Sequence, residues 1–246
     1  MEARATFARV EAVCLDLDGT LVDVVAGWHG GFRAVWPGVI AAAPAVAALG
    51  SSHHVYDAHL RLHMQDARAR AGADVEWSDD FVRAGFRRLL AEGGAPRDDL
   101  ADALAARYLV ETIPHTPAYP DVEAVLAALA PRFRLAVISN GLGRDQRAKI
   151  ECTGLAGHVG EVVISEEVGL RKPDPAIFRL ALGRIGVAAG RAVYVGDNPA
   201  DDVAGARAAG MAAVWLRRDG GLFDVGGDGA DAAIRGLDEL VGLLSP

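Results

Sequence analysis

Two aspartates separated by one residue, Asp16 and Asp18, close an apolar run that begins at Val10. Side chains two apart along a strand point to the same face, so both carboxylates can address one reacting centre. One can attack while the other handles a proton. Further polar sets stand beside other apolar runs: Ser139-Asn140 after residues 134–138, Arg171-Lys172-Pro173 ahead of a helix start, and Asp197 with Asp201 and Asp202 after residues 192–195. Ligands of open α/β sheets bind outside the carboxyl ends of the strands. That rule brings the carboxylate clusters and one lone lysine, Lys172, to a single rim. Carboxylates gathered this way repel one another and resist ionisation. A divalent cation relieves the conflict, and oxygen-only ligands favour Mg²⁺. Lys172 supplies a compact positive charge for an anionic substrate group. Ser139 adds a hydroxyl, and the backbone N–H groups near Asn140 add further donors.

The elements that must position these groups fall into three stretches. Residues 10–15 read as a buried strand running into a polar loop. Residues from about 23 to 117 read as wholly helical, with helices over 24–36, 52–70, Asp79–Glu92 and Asp98–Thr112. Ser51 or Ser52 is the expected N-cap of the second, and Gly93-Gly94 stops the third. Trp28, Trp36, Phe81 and Phe86 are the expected core of this small bundle. The last stretch alternates: helix 121–129, strand 134–138, helix 144–152, strand Glu161–Ile164, a helix opened by Asp174-Pro175, strand 192–195, helix 200–209, strand Ala212–Leu216, and a short strand and helix within 232–244. Apolar runs with helices between them indicate a parallel sheet covered on both faces. The fold class is therefore α/β, a Rossmann-like parallel sheet with helices on both faces, formed by residues 1–22 and 118–246. An all-helical cap, residues 23–117, is inserted into it, with hinges expected near Asp23 and residues 114–120.

Composition narrows the function classes. The 246 residues carry 25 Lys plus Arg against 33 Asp plus Glu, a formal charge of −8, which argues against a general nucleic-acid binder. With 51% apolar and 24% charged residues the chain is an ordinary globular one. Cys14 and Cys152 form neither a zinc spacing nor a CxxC pair, so a disulfide-stapled secreted domain is not expected. The first residues lack the apolar segment of a signal peptide, and the longest apolar stretch, 39–49, is broken by Pro44 and too short to span a bilayer. The expectation is a cytoplasmic protein without nucleic-acid or membrane partners; no oligomeric state is specified. Only two lysines occur, Lys149 and Lys172.

Asp16-Leu17-Asp18-Gly19-Thr20-Leu21-Val22-Asp23, Ser139-Asn140-Gly141, residues 169–178 around Lys172, and Val195-Gly196-Asp197 through Asp202 together resemble, in order, the four motifs of the haloacid dehalogenase superfamily. The helical insert resembles that superfamily's C1-type cap, as in its phosphoglycolate phosphatase-like members. The resemblance implies a Mg²⁺-dependent phosphatase acting on a small phosphorylated metabolite. Asp16 would be the nucleophile that forms an aspartyl phosphate. Asp18 would be general acid to the leaving alcohol, then general base to water. Mg²⁺ would be held by Asp16, the Asp18 backbone carbonyl and Asp197. Ser139, Asn140 and Lys172 would bind the transferring group. Asp202, or Asp201 beside it, would orient a metal-bound water or Lys172.

Other readings separate by residue. An EF-hand is excluded because Gly27 stands where its twelfth-position Glu is needed. Gly220-Gly221 and Gly226-Gly227 lack the strand–turn–helix context of a nucleotide fingerprint. A 2-haloacid dehalogenase usually lacks the second aspartate of the first motif, and a phosphonatase needs a cap lysine that this insert does not have. A β-phosphoglucomutase-like phosphoryl transferase and a non-catalytic phosphoryl-binding module remain as alternatives. Of the insert histidines His29, His53, His54, His59 and His63, the pair His59 and His63 is expected on a packed or solvated face. His53 and His54 could line a substrate entrance, and Arg33, Arg61 and Arg68 could meet a second anionic group.

Overall fold

The computed structural model describes residues 7–61, 78–223 and 229–245. In chain order its principal elements are β1 (Ala12–Leu15), α1 (Val24–Ala42), α2 (Asp79–Glu92), α3 (Asp98–Thr112), α4 (Val122–Leu129), β2 (Arg134–Ser139), α5 (Gly143–Cys152), β3 (Glu161–Ile164), α6 (Pro175–Ile185), β4 (Ala192–Gly196), α7 (Ala204–Ala209), β5 (Ala212–Leu216), β6 (Ala232–Ile234) and α8 (Asp238–Leu243). They form two compact units, one of residues 1–24 and 117–246, the other of residues 25–116. No helix among the described residues is long and apolar enough to cross a membrane.

The first unit is a six-stranded sheet in the order β3-β2-β1-β4-β5-β6, with every pairing parallel. β1 is central because all four of its side chains are apolar and buried, as a strand covered on both faces requires. Its alternation feeds two cores. Val13 and Leu15 join Val137, Val195 and Leu126 on one face. Ala12 and Cys14 join Ile138, Tyr194 and Phe178 on the other. Leu15 is in register with Val137 of β2 and Val195 of β4, so Asp16 emerges between the ends of both neighbours. The chain runs outward from β1 to β2 and β3, then returns to β4 on the other side of β1. Strand order thus reverses beside Asp16, which is the switch point where α/β folds place ligands.

The loop after β1 is closed by backbone bonds from Leu21 and Val22 N–H to the Leu17 carbonyl. Arg218 braces it from outside. Its guanidinium donates to the Thr20 carbonyl at 3.0 Å and grips Asp121 with two bonds of 3.0 Å each. Burial works against the Asp121 charge, but Arg218 and the Leu237 N–H outweigh it and hold the carboxyl below its usual range.

The second unit is helical. Its centre is Phe32, Tyr56, Phe86 and Tyr108, with ring centroids of neighbouring pairs 5.6–6.3 Å apart. Trp28 and Phe86 are buried as expected, but Trp36 and Phe81 are only half-buried. Tyr56 and Tyr108 take their places. α1 does not stop before Pro37 but continues to Ala42. Val35 and Val39, fully buried on either side of Pro37, offset the hydrogen bond that proline cannot donate. Of the helix expected over 52–70, residues 62–70 lie outside the described residues; in the rest, one turn over Ser52–Val55, capped by Ser51, passes into π-helical turns over Tyr56–Arg61 in place of a continuous α-helix. His63, Arg68, Gly226 and Gly227 lie outside the described residues. His59 pairs with Glu92 at 2.6 Å, while His29, His53 and Arg61 all approach the carboxylate of Asp57.

Candidate active site

Lys172 organises the rim of the sheet. Its ammonium donates to Asp16 Oδ1 and Asp202 Oδ1, both at 2.7 Å, and to the Tyr194 hydroxyl at 3.0 Å. Only 3% of the residue is exposed. Three donors with three partners leave the ammonium no freedom to rotate. Tyr194 belongs to the same sheet face as Cys14, and its hydroxyl donates to the Ile138 carbonyl at 2.8 Å. It is a site residue that sequence reasoning did not single out. Its position in β4, opposite Cys14, was the available signal.

Asn140 holds the lysine from behind. Its side chain accepts from the Lys172 N–H at 2.9 Å and donates to the Lys172 carbonyl at 3.0 Å. The side chain is thus committed to the Lys172 backbone. Nearby backbone donors are also occupied, since Gly141 N–H donates to Ser165 and Gly143 N–H to Glu166. The expectation of open amide donors there is corrected to that extent. Ser139 is buried at the end of β2, and its Oγ accepts from Gln146 Nε2 at 2.6 Å.

Of the paired aspartates after β4, Asp202 is the one that reaches Lys172. Its other oxygen accepts from Asn198 N–H at 2.9 Å, and the residue is fully buried. Asp201 lies beside the Asn198 amide at 3.0 Å. The turn carrying them, Pro199–Val203, is π-helical rather than α-helical. Such turns appear frequently at functional sites. Gly196 is required here, because a Cβ on it would stand 2.2 Å from Asp202 Oδ2.

Asp16, Asp197 and Asp202 are all buried, and one ligating oxygen from each lies within 4.8 Å of the others. Asp197 Oδ2 is buried with no hydrogen-bond partner among the described residues. Gly19, at φ +80°, faces that same oxygen, and a Cβ there would stand 2.3 Å from it. An orphaned carboxylate oxygen beside a space kept clear by glycine fits a small divalent cation. Charge points the same way: three buried carboxylates face one ammonium. Burial, reinforced by Asp202 and Asp18 and opposed by Lys172, raises the Asp16 pKa to about 7. Burial, then the charges of Asp16 and Asp202, pushes Asp197 well above the carboxylate range. Burial opposes the Lys172 charge too, but Asp16 and Asp202 outweigh it and raise its pKa.

These directions give a stability prediction for protein stripped of metal. Asp16 binds its proton more tightly folded than unfolded, so its contribution is fully present below about pH 4. It is lost as pH rises through about 7. Thermal unfolding in a chelator is expected to show a melting temperature lower at pH 8 than at pH 5. The opposite slope would refute the electrostatic picture.

Asp18 is differently placed. Its side chain is 29% exposed and meets Lys149 Nζ at 2.8 and 2.9 Å and Gln146 Nε2 at 3.1 Å. The rim therefore holds two lysines, not the lone one expected. Lys149 was hidden because α5 reads as a charged, solvated helix; the scarcity of lysine was its only signal.

The profile of the haloacid dehalogenase-like hydrolases matches residues 10–210. The chain belongs to that family. It is 34% identical over 243 residues to a plasmid-borne phosphoglycolate phosphatase of Cupriavidus necator, covering 96% of this chain and 93% of that one. It is 46% identical over 144 residues to a phosphoserine phosphatase of Thermus thermophilus, a match spanning 58% of this chain and 57% of that enzyme. Among solved structures, a 2-haloacid dehalogenase from Pseudomonas syringae pv. Tomato DC3000 superposes with a TM-score of 0.62 at 31% identity, covering 96% of this chain and 98% of the other.

Proposed function

We propose that this hydrolase is a Mg²⁺-dependent phosphatase that cleaves a small phosphomonoester through an aspartyl phosphate on Asp16. The observation that carries the reading is the buried Asp16–Lys172–Asp202 chain at the sheet switch point, with a second carboxylate, Asp18, two residues beyond the first. The phosphatase names of the two relatives support the same reaction class.

In this reading a carboxylate oxygen of Asp16 attacks phosphorus in line with the ester oxygen. Asp18 gives a proton to the departing alkoxide. The same carboxylate then takes a proton from the water that attacks the aspartyl phosphate, and inorganic phosphate leaves with Asp16 regenerated. The Ser139 hydroxyl holds a non-bridging oxygen, while the Lys172 ammonium, its donors taken by Asp16, Asp202 and Tyr194, sets a fixed positive charge beside the transferring group. Gln146 satisfies Ser139 as an acceptor and leaves its proton to donate. Asp202 and Asn140 keep Lys172 in place. Asp16, Asp197 and the Asp18 backbone carbonyl would hold Mg²⁺, which neutralises charge on the transferring group. The helical unit, residues 25–116, is assigned the choice of leaving group.

A phosphate-release screen over small phosphorylated acids, sugar phosphates and nucleoside monophosphates, with and without Mg²⁺, tests the proposal. The expected result is Mg²⁺-dependent release from O-phosphoserine, 2-phosphoglycolate or a similarly small ester. The dehalogenase likeness favours one competing reading, attack of Asp16 on a carbon–halogen bond. Halide release from 2-chloropropionate without metal, and no phosphate release from any ester, would establish that reading instead.

A further inference from the structure

We propose that Lys149 and Gln146 are positioning residues that hold the Asp18 carboxylate for proton transfer and lock it to the Ser139 hydroxyl. The inference rests on the general-acid role assigned to Asp18 above. Asp18 stands on a loop, and a general acid must lie within about 2.6–3.2 Å of the atom it protonates. Helix α5 supplies the missing constraint. Lys149 and Gln146 are one turn apart on it and share a face, and both are buried although polar. The Lys149 ammonium spends its donors on Asp18 Oδ1 at 2.8 Å, Asp18 Oδ2 at 2.9 Å and Gln146 Oε1 at 2.8 Å.

That last bond fixes which way the Gln146 amide faces. Its Nε2 must then turn toward Asp18 Oδ2 at 3.1 Å, Ser139 Oγ at 2.6 Å and the Asn140 carbonyl at 3.3 Å. One buried amide thus ties a carboxylate from the β1 loop to a hydroxyl at the end of β2. A charged amine and an amide are costly to bury, and here every one of their polar atoms has a site group as partner. Lys172 serves Asp16, and Lys149 serves Asp18, so the only two lysines of the chain divide the two carboxylates between them.

Lys149→Met tests this, read as kcat/KM, which reports the phosphorylation of Asp16. Two substrates are compared: p-nitrophenyl phosphate, whose leaving group needs no proton, and whichever of O-phosphoserine or 2-phosphoglycolate is turned over faster. The expected loss is about 10- to 100-fold on the alkyl ester, as a misplacement near 1 Å would give, and under about threefold on the aryl ester. Gln146→Leu is expected to show the same larger loss on the alkyl ester on top of a loss common to both esters, because Ser139, which holds the transferring group of either, loses its donor as well. Lys149→Gln, a neutral donor of similar length, keeps the test open if the methionine variant does not fold. Adding Lys149→Met to Asp18→Asn costs nothing further, because a residue acting through another is non-additive with it. Equal losses on both esters, or losses that multiply in the double variant, overturn the inference. Full activity of Asp18→Asn on the alkyl ester overturns the acid role itself, a result distinct from either.

Discussion

Asp16→Asn is expected to abolish phosphate release, by at least about four orders of magnitude, as loss of a nucleophile does elsewhere. The amide keeps the shape of the carboxylate and can still meet Lys172, but it cannot attack phosphorus. The same substitution is expected to raise the melting temperature of metal-free protein at pH 8. Burial and the neighbouring carboxylates make ionised Asp16 costly there, and the neutral amide removes that cost. Opposite changes in activity and stability are the mark of a residue kept for chemistry. A variant that lost activity together with stability would point to a structural aspartate instead. Steady-state assays and thermal scans on one preparation decide between them.

Lys172→Met is expected to lose both. Activity falls by about a thousandfold, because the transferring group loses its fixed cation. Stability falls by about 3–5 kcal/mol, since removing one partner leaves buried charges uncompensated. Asp202, fully buried, loses its ammonium partner, and Asp16 loses the positive charge that opposes the cost of its burial. Adding Asp202→Asn is expected to recover much of the stability and none of the activity. Urea unfolding of the single and double variants measures the first, and phosphate release the second. Recovery of activity in the double variant would show that Lys172 serves the fold and not the reaction.

Much of this arrangement was legible before any coordinates. The unbroken apolar run of residues 12–15 demands burial on both faces, and that makes β1 central and delivers Asp16 to the rim. Asp174-Pro175 starts α6, the Asp174 side chain accepting from Ala176 N–H as its cap. The parts that were not legible share a physical cause. Lys149 and Gln146 lie among Arg144, Asp145, Arg147 and Glu151, so α5 has no apolar stripe to announce an inward face. The dual grip of Asn140 on the Lys172 backbone joins residues 32 positions apart, a contact that leaves no local pattern. Pro37 reads as a helix end because local sequence does not include the packing of Val35 and Val39. Tyr108 stands at helical spacing from Leu104 and was legible as part of the apolar face of α3, whereas Tyr56 stands among His53, His54, Asp57 and His59, so its burial beside Tyr108, with the hydroxyls 3.3 Å apart, emerges only from tertiary structure.

The proposed mechanism requires that Asp16 itself become phosphorylated. A single turnover in H₂¹⁸O at excess enzyme, followed by mass spectrometry of the peptide containing Asp16 and of the released phosphate, addresses this directly. Water attacking the aspartyl phosphate at phosphorus places the first ¹⁸O in phosphate and leaves Asp16 unlabelled, whereas rapid acid quench before that step is expected to yield the Asp16 peptide heavier by one phosphoryl group. Full phosphate release with no phosphorylated Asp16 peptide at any quench time, or ¹⁸O found in the Asp16 carboxylate, would contradict the mechanism.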